Sequence, residues 1–164
     1  MLMETLPSCK TCFACGKENR HGLRLQFFAD PQSVRGIFRP RQFLSGYPGI
    51  VHGGILASAA DEVMGWAASW KRGISCVAVE LSVKYLKPAP TNKEFELTAQ
   101  VRNEKRRIVE VEGEVRDKEG QVYVAAWGKY LIFSGEKNRE TIPLLDFTGC
   151  SEEVRQRYLK NSDL

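Results

Sequence analysis

The sequence predicts an α+β domain in which one long helix packs on an antiparallel sheet. Apolar residues recur at helical spacing between Ile55 and Trp70, whereas four later segments alternate between apolar and polar residues with period two. Short turns separate these later segments, which favours antiparallel pairing. With two strands before the helix, the predicted order is β-β-α-β-β-β-β.

Length and composition indicate one domain with a full core. The chain has 164 residues, of which 43% are hydrophobic and 27% are charged. Its net charge of +4 is too small to indicate nucleic-acid binding, although it suits a ligand that carries phosphates. The sequence has no apolar run of bilayer length, and the first ten residues lack a secretory signal. We therefore expect a cytoplasmic protein with no nucleic-acid and no membrane partner.

The part before the helix is predicted to contain a lead-in and a hairpin. Residues 1–22 have several turn formers and are predicted to be irregular. Apolar residues alternate over 23–27, which predicts a first strand, and residues 30–33 have the composition of a turn. Residues 34–39 are the predicted returning strand of this hairpin.

The helix is predicted to have two dissimilar faces. One broad arc is apolar and is expected to lie on the sheet; it contains Ile55, Leu56, Ala59, Val63, Trp66, Ala67 and Trp70. Asp61 points the opposite way, among the mostly small residues Ala57, Ser58, Met64, Gly65 and Ala68. Small residues permit close approach, so Asp61 is expected in a crevice beside a ligand or a partner subunit. Gly73 ends the helix after Lys71 and Arg72.

The later strands are predicted at Cys76–Tyr85, Phe95–Val101, Ile108–Arg116 and Gln121–Phe133. The organisation is therefore an irregular lead-in over 1–22, a central domain over 23–134, and a tail over 135–164. The tail contains a possible short helix, Ser151–Lys160, with Ser151 as its N-cap. Because one helix cannot cover both faces of such a sheet, the other face must be solvated or buried in an oligomer.

The start of the helix is the stretch most suggestive of chemistry. His52-Gly53-Gly54 follows a loop rich in Pro and Gly, so unblocked amides are expected where developing negative charge is stabilised. Asp61 lies two turns further on and is suited to act as a base or a nucleophile. Eight residues of helix rise about 12 Å, so Gly53 and Asp61 of one chain are too far apart to contact the same carbonyl group of a bound molecule. They can meet only if each comes from a different copy of the chain.

These residues resemble those of the hotdog-fold acyl-CoA thioesterases, in the branch related to the phenylacetate-pathway thioesterase. The resemblance is carried by His52-Gly53-Gly54, by Asp61 nine positions after His52, and by the strand Leu81–Pro88. The lead-in Cys12-Phe-Ala-Cys-Gly16, with Asn19 and Gly22-Leu23, is also similar to one seen in some hotdog proteins. The resemblance covers roughly residues 12–134.

The resemblance implies a hotdog fold, with a long helix wrapped by the sheet, and a homodimer or homotetramer with active sites between protomers. It implies that the Gly53 amide polarises a thioester carbonyl and that Asp61 of the other protomer attacks it or activates water. The reaction would hydrolyse acyl-CoA to a carboxylic acid and free coenzyme A, with no cofactor. Some relatives have a polar amide side chain in the loop before His52, where this chain has Gly46 and Tyr47. Some relatives also have a serine that supports the water, and this chain has Ala78 at that position.

Other residues of the predicted site have supporting roles. His52 is grouped with the catalytic residues but is expected to cap or orient the loop rather than to move protons. The residues expected to contact substrate are Gly54, Tyr47, Glu62, Lys84 and Lys87. Glu62 is alternatively a structural carboxylate that pairs with Arg72 or hydrogen-bonds a neighbouring loop. Basic residues including Lys84 and Lys87 are either a solvated face or partners for the phosphates of coenzyme A.

The cysteine cluster has two interpretations. Cys9, Cys12 and Cys15, with His21, have a spacing that would suit zinc. In the alternative interpretation, the thiols pack as small apolar groups. The prediction that the chain binds no metal rests on this alternative. An odd total of five cysteines argues against a disulfide framework.

Two other functions compete with hydrolysis. One is a hydratase or dehydratase on the same fold, but such sites need a histidine with the carboxylate, and no histidine follows His52. The other is a non-catalytic module that binds acyl-CoA or an aromatic ligand.

Overall fold

A computed structural model describes residues 3–161, and its main feature is one antiparallel sheet of seven strands. The sheet has the order β1-β3-β4-β8-β9-β10-β7. These strands are β1 (Glu4–Thr5), β3 (Phe27–Ala29), β4 (Val34–Phe38), β7 (Cys76–Tyr85), β8 (Phe95–Lys105), β9 (Ile108–Asp117) and β10 (Val122–Ile132). Short pairs lie outside this sheet: β2 (Ser8–Cys9) with β11 (Leu145–Asp146), and β5 (Ser45–Tyr47) with β6 (Ile50–Val51).

Helix α1 (Gly53–Arg72) is wrapped by the sheet. Met64 packs so closely on β9 that a Cβ atom at Gly113 would lie 2.7 Å from its Cγ, which explains the glycine there. The predicted helical faces are therefore wrong in part, because Met64 and Ala68 were expected beside Asp61 and are fully buried. Ile55 and Trp70, expected on the core face, are only half-buried.

The second side of α1 is covered by the ends of the chain rather than by the sheet. Helix α3 (Glu152–Lys160) packs there, with the Tyr158 ring 6.4 Å from the Trp66 ring in an edge-to-face arrangement. The Ser69 hydroxyl donates to the hydroxyl of Tyr158. Part of the predicted sheet-facing arc thus packs against the tail. A helix enclosed on two sides has no simple amphipathic pattern, which is why helical periodicity assigned some residues to the wrong face.

Both ends of α1 have the predicted caps. Gly73 has a positive φ of 64° and ends the helix. Arg72, in the last turn, pairs with Glu104 of β8. The suggested pair between Arg72 and Glu62 is therefore wrong.

Most predicted boundaries agree with the structure within two residues. The first strand is an exception, since residues 23–26 are not in a strand and β3 begins only at Phe27. Strand β8 extends four residues beyond its predicted end at Val101, to Lys105. A short helix, α2 (Gly135–Thr141), was not predicted, whereas Ser151 caps α3 as expected by accepting from the Val154 amide.

Strand β7 forms one edge of the sheet, with β10 as its neighbour. Its apolar side chains are unusually exposed: Val77 at 47%, Val79 at 53% and Leu81 at 40%. Val79 lies at a bulge where the pairing with β10 shifts by one residue. An exposed apolar edge of this kind is suited to pairing with another strand.

Within residues 3–161, no helix is both long and apolar enough to cross a bilayer.

Candidate active site

The first turn of α1 leaves one amide available. The His52 side chain caps the helix, its Nδ1 accepting from the Gly54 N–H at 2.9 Å. The Ile55 N–H bonds to the His52 carbonyl at 3.0 Å. Among the described hydrogen bonds, none uses the Gly53 N–H. The amide that the sequence predicted as the electrophilic donor is thus the one left unpaired, while the Gly54 amide is occupied.

A surface groove of about 510 Å³ lies at this end of the helix. Tyr85, at the end of β7, donates from its hydroxyl to the Gly53 carbonyl at 2.9 Å and so ties the edge strand to the helix start. The groove brings together four of the predicted site residues with Tyr85; they are Tyr47, His52, Gly53 and Lys87. The groove therefore combines the unbonded Gly53 N–H with the aromatic rings of Tyr47 and Tyr85 and with the side chain of Lys87.

Asp61 lies in a separate cavity of about 340 Å³, between α1 and the beginning of β7. The hydroxyl of Tyr130 donates to Oδ1 of Asp61 at 2.8 Å. Burial, together with the Asp61 charge, raises the pKa of Tyr130 far above its usual range, so the phenol stays a neutral donor. The hydrogen bond fixes one carboxylate oxygen of Asp61, which is one of the residues that line the cavity.

Small residues lie beside this pair. Gly65, one turn after Asp61, faces the Tyr130 ring, which lies 3.5 Å from where a Cβ would stand. Ala78, opposite Tyr130 in the β7–β10 register, lines the same cavity. The helix and the two strands thus hold the carboxylate at the bottom of an otherwise mostly apolar recess.

Glu62 is turned toward the lead-in. Its Oε1 accepts from the indole N–H of Trp66 at 3.0 Å, and its Oε2 lies 3.6 Å from the Cys12 thiol. Burial, with the neighbouring Cys12, raises the pKa of Glu62 to about 7. The structure therefore agrees with the expectation that Glu62 bonds a neighbouring loop, and it lines the cavity beside Asp61.

The lead-in thiols are not arranged as the sequence suggested. Cys12 and Cys15 gather around Glu62, with their ligand atoms within 4.8 Å of one another. His21 is exposed and is not part of this group, and Cys9 contributes only its backbone N–H, which donates to Cys15 Sγ at 3.3 Å. The proposed set of three cysteines with His21 is therefore wrong as a cluster.

The predicted site residues thus fall into two hollows of one chain. The helix-start groove contains Tyr47, His52, Gly53 and Lys87, and the other cavity contains Asp61 and Glu62. Lys84 lies on β7 and lines neither hollow, and Gly54 is used by the helix cap.

Sequence reasoning missed three contributors: Tyr130, Tyr85 and the pairing of Cys12 and Cys15 with Glu62. Tyr130 lies in an alternating apolar strand, where a tyrosine reads as an ordinary core residue. Tyr85 was within the segment that carries the family resemblance, but no local pattern marks its bond to Gly53. The contact of Glu62 with the Cys12 thiol, 50 positions away, has no local signal at all.

Comparison with known proteins supports the same fold. Residues 48–124 match the family model described as Thioesterase superfamily. A solved thioesterase superfamily protein is 30% identical, with a TM-score of 0.69, over 73% of this chain and 62% of its own length. The chain therefore spans less than two thirds of that protein. No curated protein matches the sequence.

Two further solved structures have the same architecture. The E. coli PaaI protein from the phenylacetic acid degradation operon is 20% identical over 68% of this chain and 81% of its own, with a TM-score of 0.64. A hypothetical thioesterase from Streptococcus pneumoniae, solved with coenzyme A, is 18% identical over 63% of this chain and 82% of its own, with a TM-score of 0.59. At these identities the likeness shows a common fold.

The chain is a hotdog-fold protein, as its sequence predicted. The match over residues 48–124 confirms the resemblance to the hotdog thioesterases, and PaaI is among its structural relatives.

Proposed function

We propose that this protein is a homo-oligomeric acyl-CoA thioesterase whose active site is shared between two copies of the chain. The observation that carries the proposal is the pairing of an unbonded Gly53 N–H at the start of α1 with a cavity that holds Asp61 two turns later. In one chain these groups occupy different hollows. In a symmetric dimer, the start of α1 in each copy would complete the site that contains Asp61 of the other copy.

The chemistry follows from these two groups. The Gly53 N–H would donate to the thioester oxygen as it gains negative charge, which is the stabilisation that an oxyanion hole provides. Asp61 would either activate a water that adds to the carbonyl carbon or attack that carbon itself. If water adds, the C–S bond breaks, coenzyme A leaves as a thiol with a proton from that water, and the acyl group is released as a carboxylic acid. If Asp61 attacks, loss of coenzyme A leaves a mixed anhydride between Asp61 and the acyl group, which a water molecule then hydrolyses to the carboxylic acid and free Asp61. Tyr130 would hold the Asp61 carboxylate in orientation without reacting.

The exposed edge of the sheet supports the dimer. Val77, Val79 and Leu81 would be buried if β7 paired with β7 of a second copy and extended the sheet. Tyr85 connects the same strand to Gly53, so the edge and the donor amide are held in a fixed relation. The mass in solution distinguishes a dimer from a tetramer of two such dimers.

Coenzyme A is the expected carrier of the acyl group. The related Streptococcus pneumoniae protein was solved with coenzyme A. In this chain Lys87 lines the helix-start groove and Lys84 lies on the same edge strand, both exposed. These cations are suited to the phosphates of the nucleotide, with Tyr47 and Gly54 beside the entering thioester.

The two competing functions have less support. A hydratase would need an imidazole beside Asp61, yet the Nδ1 atom of His52 is engaged in the helix cap. A binding module would use the same hollows but would release no thiol. An acyl-CoA panel with thiol detection separates hydrolysis from binding and gives the acyl preference as well.

A complementation experiment tests the shared site directly. Asp61→Ala removes the carboxylate, and Gly53→Pro removes the N–H at a helix position where proline is well tolerated. Each variant alone should be nearly inactive. If the two are mixed and refolded together, half of the dimers should be hybrids with one intact site, which restores about a quarter of wild-type activity.

Differently tagged chains would confirm that hybrids form. Hybrids without activity would show that the site is not shared between copies. Equal thiol release by wild type and Asp61→Ala would show that the protein is not an Asp61-dependent thioesterase.

A further inference from the structure

We propose that Cys12, Cys15 and Glu62 bind one zinc ion, with its fourth position open to the cavity beside Asp61. The three residues come from two distant parts of the chain, the lead-in and helix α1. Two thiolates and a carboxylate form a ligand set that zinc accepts readily, and three protein ligands leave a position for water. The proposal does not depend on the thioesterase activity.

The distances fit a tetrahedral ion. Zinc binds sulfur at about 2.3 Å and carboxylate oxygen at about 2.0 Å, so a tetrahedral angle separates these two ligand atoms by about 3.5 Å. The Cys12 Sγ and Glu62 Oε2 atoms are 3.6 Å apart. All three ligand atoms lie within 4.8 Å of one another, a spread that small side-chain rotations can close onto one ion.

Backbone amides are directed at the sulfur atoms of both cysteines. The Ala14 N–H donates to Cys12 Sγ at 3.3 Å, and the Cys9 N–H donates to Cys15 Sγ at 3.3 Å. Gly16 closes the turn between the two cysteines: its N–H bonds to the Cys12 carbonyl, and a Cβ there would lie 2.5 Å from that oxygen. A tight turn with amides directed at both sulfurs is unnecessary for thiols that only fill space.

Glu62 has the features expected of a metal ligand. Its carboxylate is largely buried, and within residues 3–161 no Lys, Arg or His forms an ion pair with it. A buried carboxylate without a positive partner is costly, and a divalent ion would remove that cost. The Trp66 indole holds Oε1 at 3.0 Å, and the Cys12 Sγ atom lies 3.7 Å from Oε1 and 3.6 Å from Oε2. Such an outer hydrogen bond orients ligands at metal sites.

Zinc at this place would join the lead-in to α1 at the residue next to Asp61. The ion would thereby fix one wall of the Asp61 cavity, which Cys9 and Cys12 line. The competing explanation is that Cys12 and Cys15 simply donate weak S–H hydrogen bonds to Glu62, in which case no metal is retained.

The metal content of purified, reduced protein distinguishes these explanations. After incubation with zinc and desalting, wild type should retain about one zinc per chain. Cys12→Ser and Cys15→Ser should each lose most of it, and Glu62→Gln should bind zinc at least tenfold more weakly. The matched controls are Cys9→Ser and Cys150→Ser, which change thiols outside the cluster and should bind like wild type.

A second measurement avoids relying on variants that fold poorly. Cobalt(II) added to metal-free wild type should give a thiolate-to-cobalt charge-transfer band and the intense visible bands of a tetrahedral ion. Zinc should also raise the melting temperature of wild type, because it binds only the folded cluster. Wild type that retains no zinc and shows no charge-transfer band would overturn the proposal. Loss of zinc in Cys9→Ser as complete as in Cys12→Ser would overturn the ligand set.

Discussion

The Tyr130 hydroxyl donates a hydrogen bond of 2.8 Å to Oδ1 of Asp61, and this bond joins the last long strand of the sheet to the middle of α1. Tyr130 is almost fully buried and has no charge of its own to contribute. Its role in the proposed reaction is therefore to position the carboxylate.

Tyr130→Phe should lower kcat about tenfold with little change in KM, since the ring still packs but the carboxylate loses its donor. Steady-state thiol release measures both constants. Tyr123→Phe is the matched control, because it removes a buried hydroxyl from the same strand away from Asp61 and should leave kcat unchanged. A kcat of Tyr130→Phe equal to that of wild type would mean that the carboxylate is not positioned by Tyr130.

The Gly53 N–H is tested by a pair of substitutions at one position. Gly53→Pro should reduce kcat by about 10²–10³-fold, the usual effect of removing one oxyanion donor. Gly53→Ala keeps the N–H, and its Cβ would stand 3.4 Å from the Tyr85 ring, so this control should remain within a few-fold of wild type. Equal losses in the two variants would point to packing against Tyr85 instead of the amide.

The edge strand is tested by adding a charge. Val79→Lys should dissociate the proposed dimer, because it places an ammonium group in the middle of an apolar edge. Sedimentation velocity gives the mass, and specific activity should fall with the dimer fraction. Ile37→Lys is the control, since Ile37 is also exposed, at 43%, but lies on β4 inside the sheet. A dimer that survives Val79→Lys would move the interface away from β7.

Acid stability should depend on Asp117. A 2.6 Å contact with the Lys93 ammonium, together with hydrogen bonds from the chain, lowers the pKa of Asp117 from 3.8 to about 2. Because the folded-state pKa is the lower one, this contribution to stability is present above pH 3.8 and is lost as the pH falls toward 2.

Urea unfolding at several acidic pH values measures this contribution. Asp117→Asn should be less stable than wild type near neutral pH and should lose less stability on acidification. Glu18→Gln, which alters an exposed carboxylate, should keep the wild-type slope. If Asp117→Asn keeps that slope too, the Lys93 contact does not govern acid stability.

The sequence predicted the fold well because its signals are local. Period-two segments, the capped helix and the N-cap at Ser151 are each decided by neighbouring residues. The pattern failed where a segment is held by distant contacts. Residues 23–26 alternate like a strand, yet Leu25 bonds to Ala14 of the lead-in instead of a sheet neighbour.

The candidate site was predicted in part for the same reason. His52, Gly53 and Asp61 carry recognisable spacing along one helix. Tyr130 reaches Asp61 from 69 positions away, and Cys12 reaches Glu62 from 50 positions away, so these partners depend on the tertiary fold. Helix geometry alone predicted that Gly53 and Asp61 of one chain lie too far apart to form one site.

The pairing of β2 with β11 has a consequence for the order in which the chain folds. Cys9 and Leu145, which are register partners there, both line the Asp61 cavity. The Lys10 N–H also bonds to the Leu144 carbonyl, so the first and last parts of the chain close that wall together. During synthesis the sheet and α1 can form while the cavity remains open, and the recess takes shape only after residues 144–145 have left the ribosome. Completion of the Asp61 cavity is therefore expected to follow the formation of the sheet and α1.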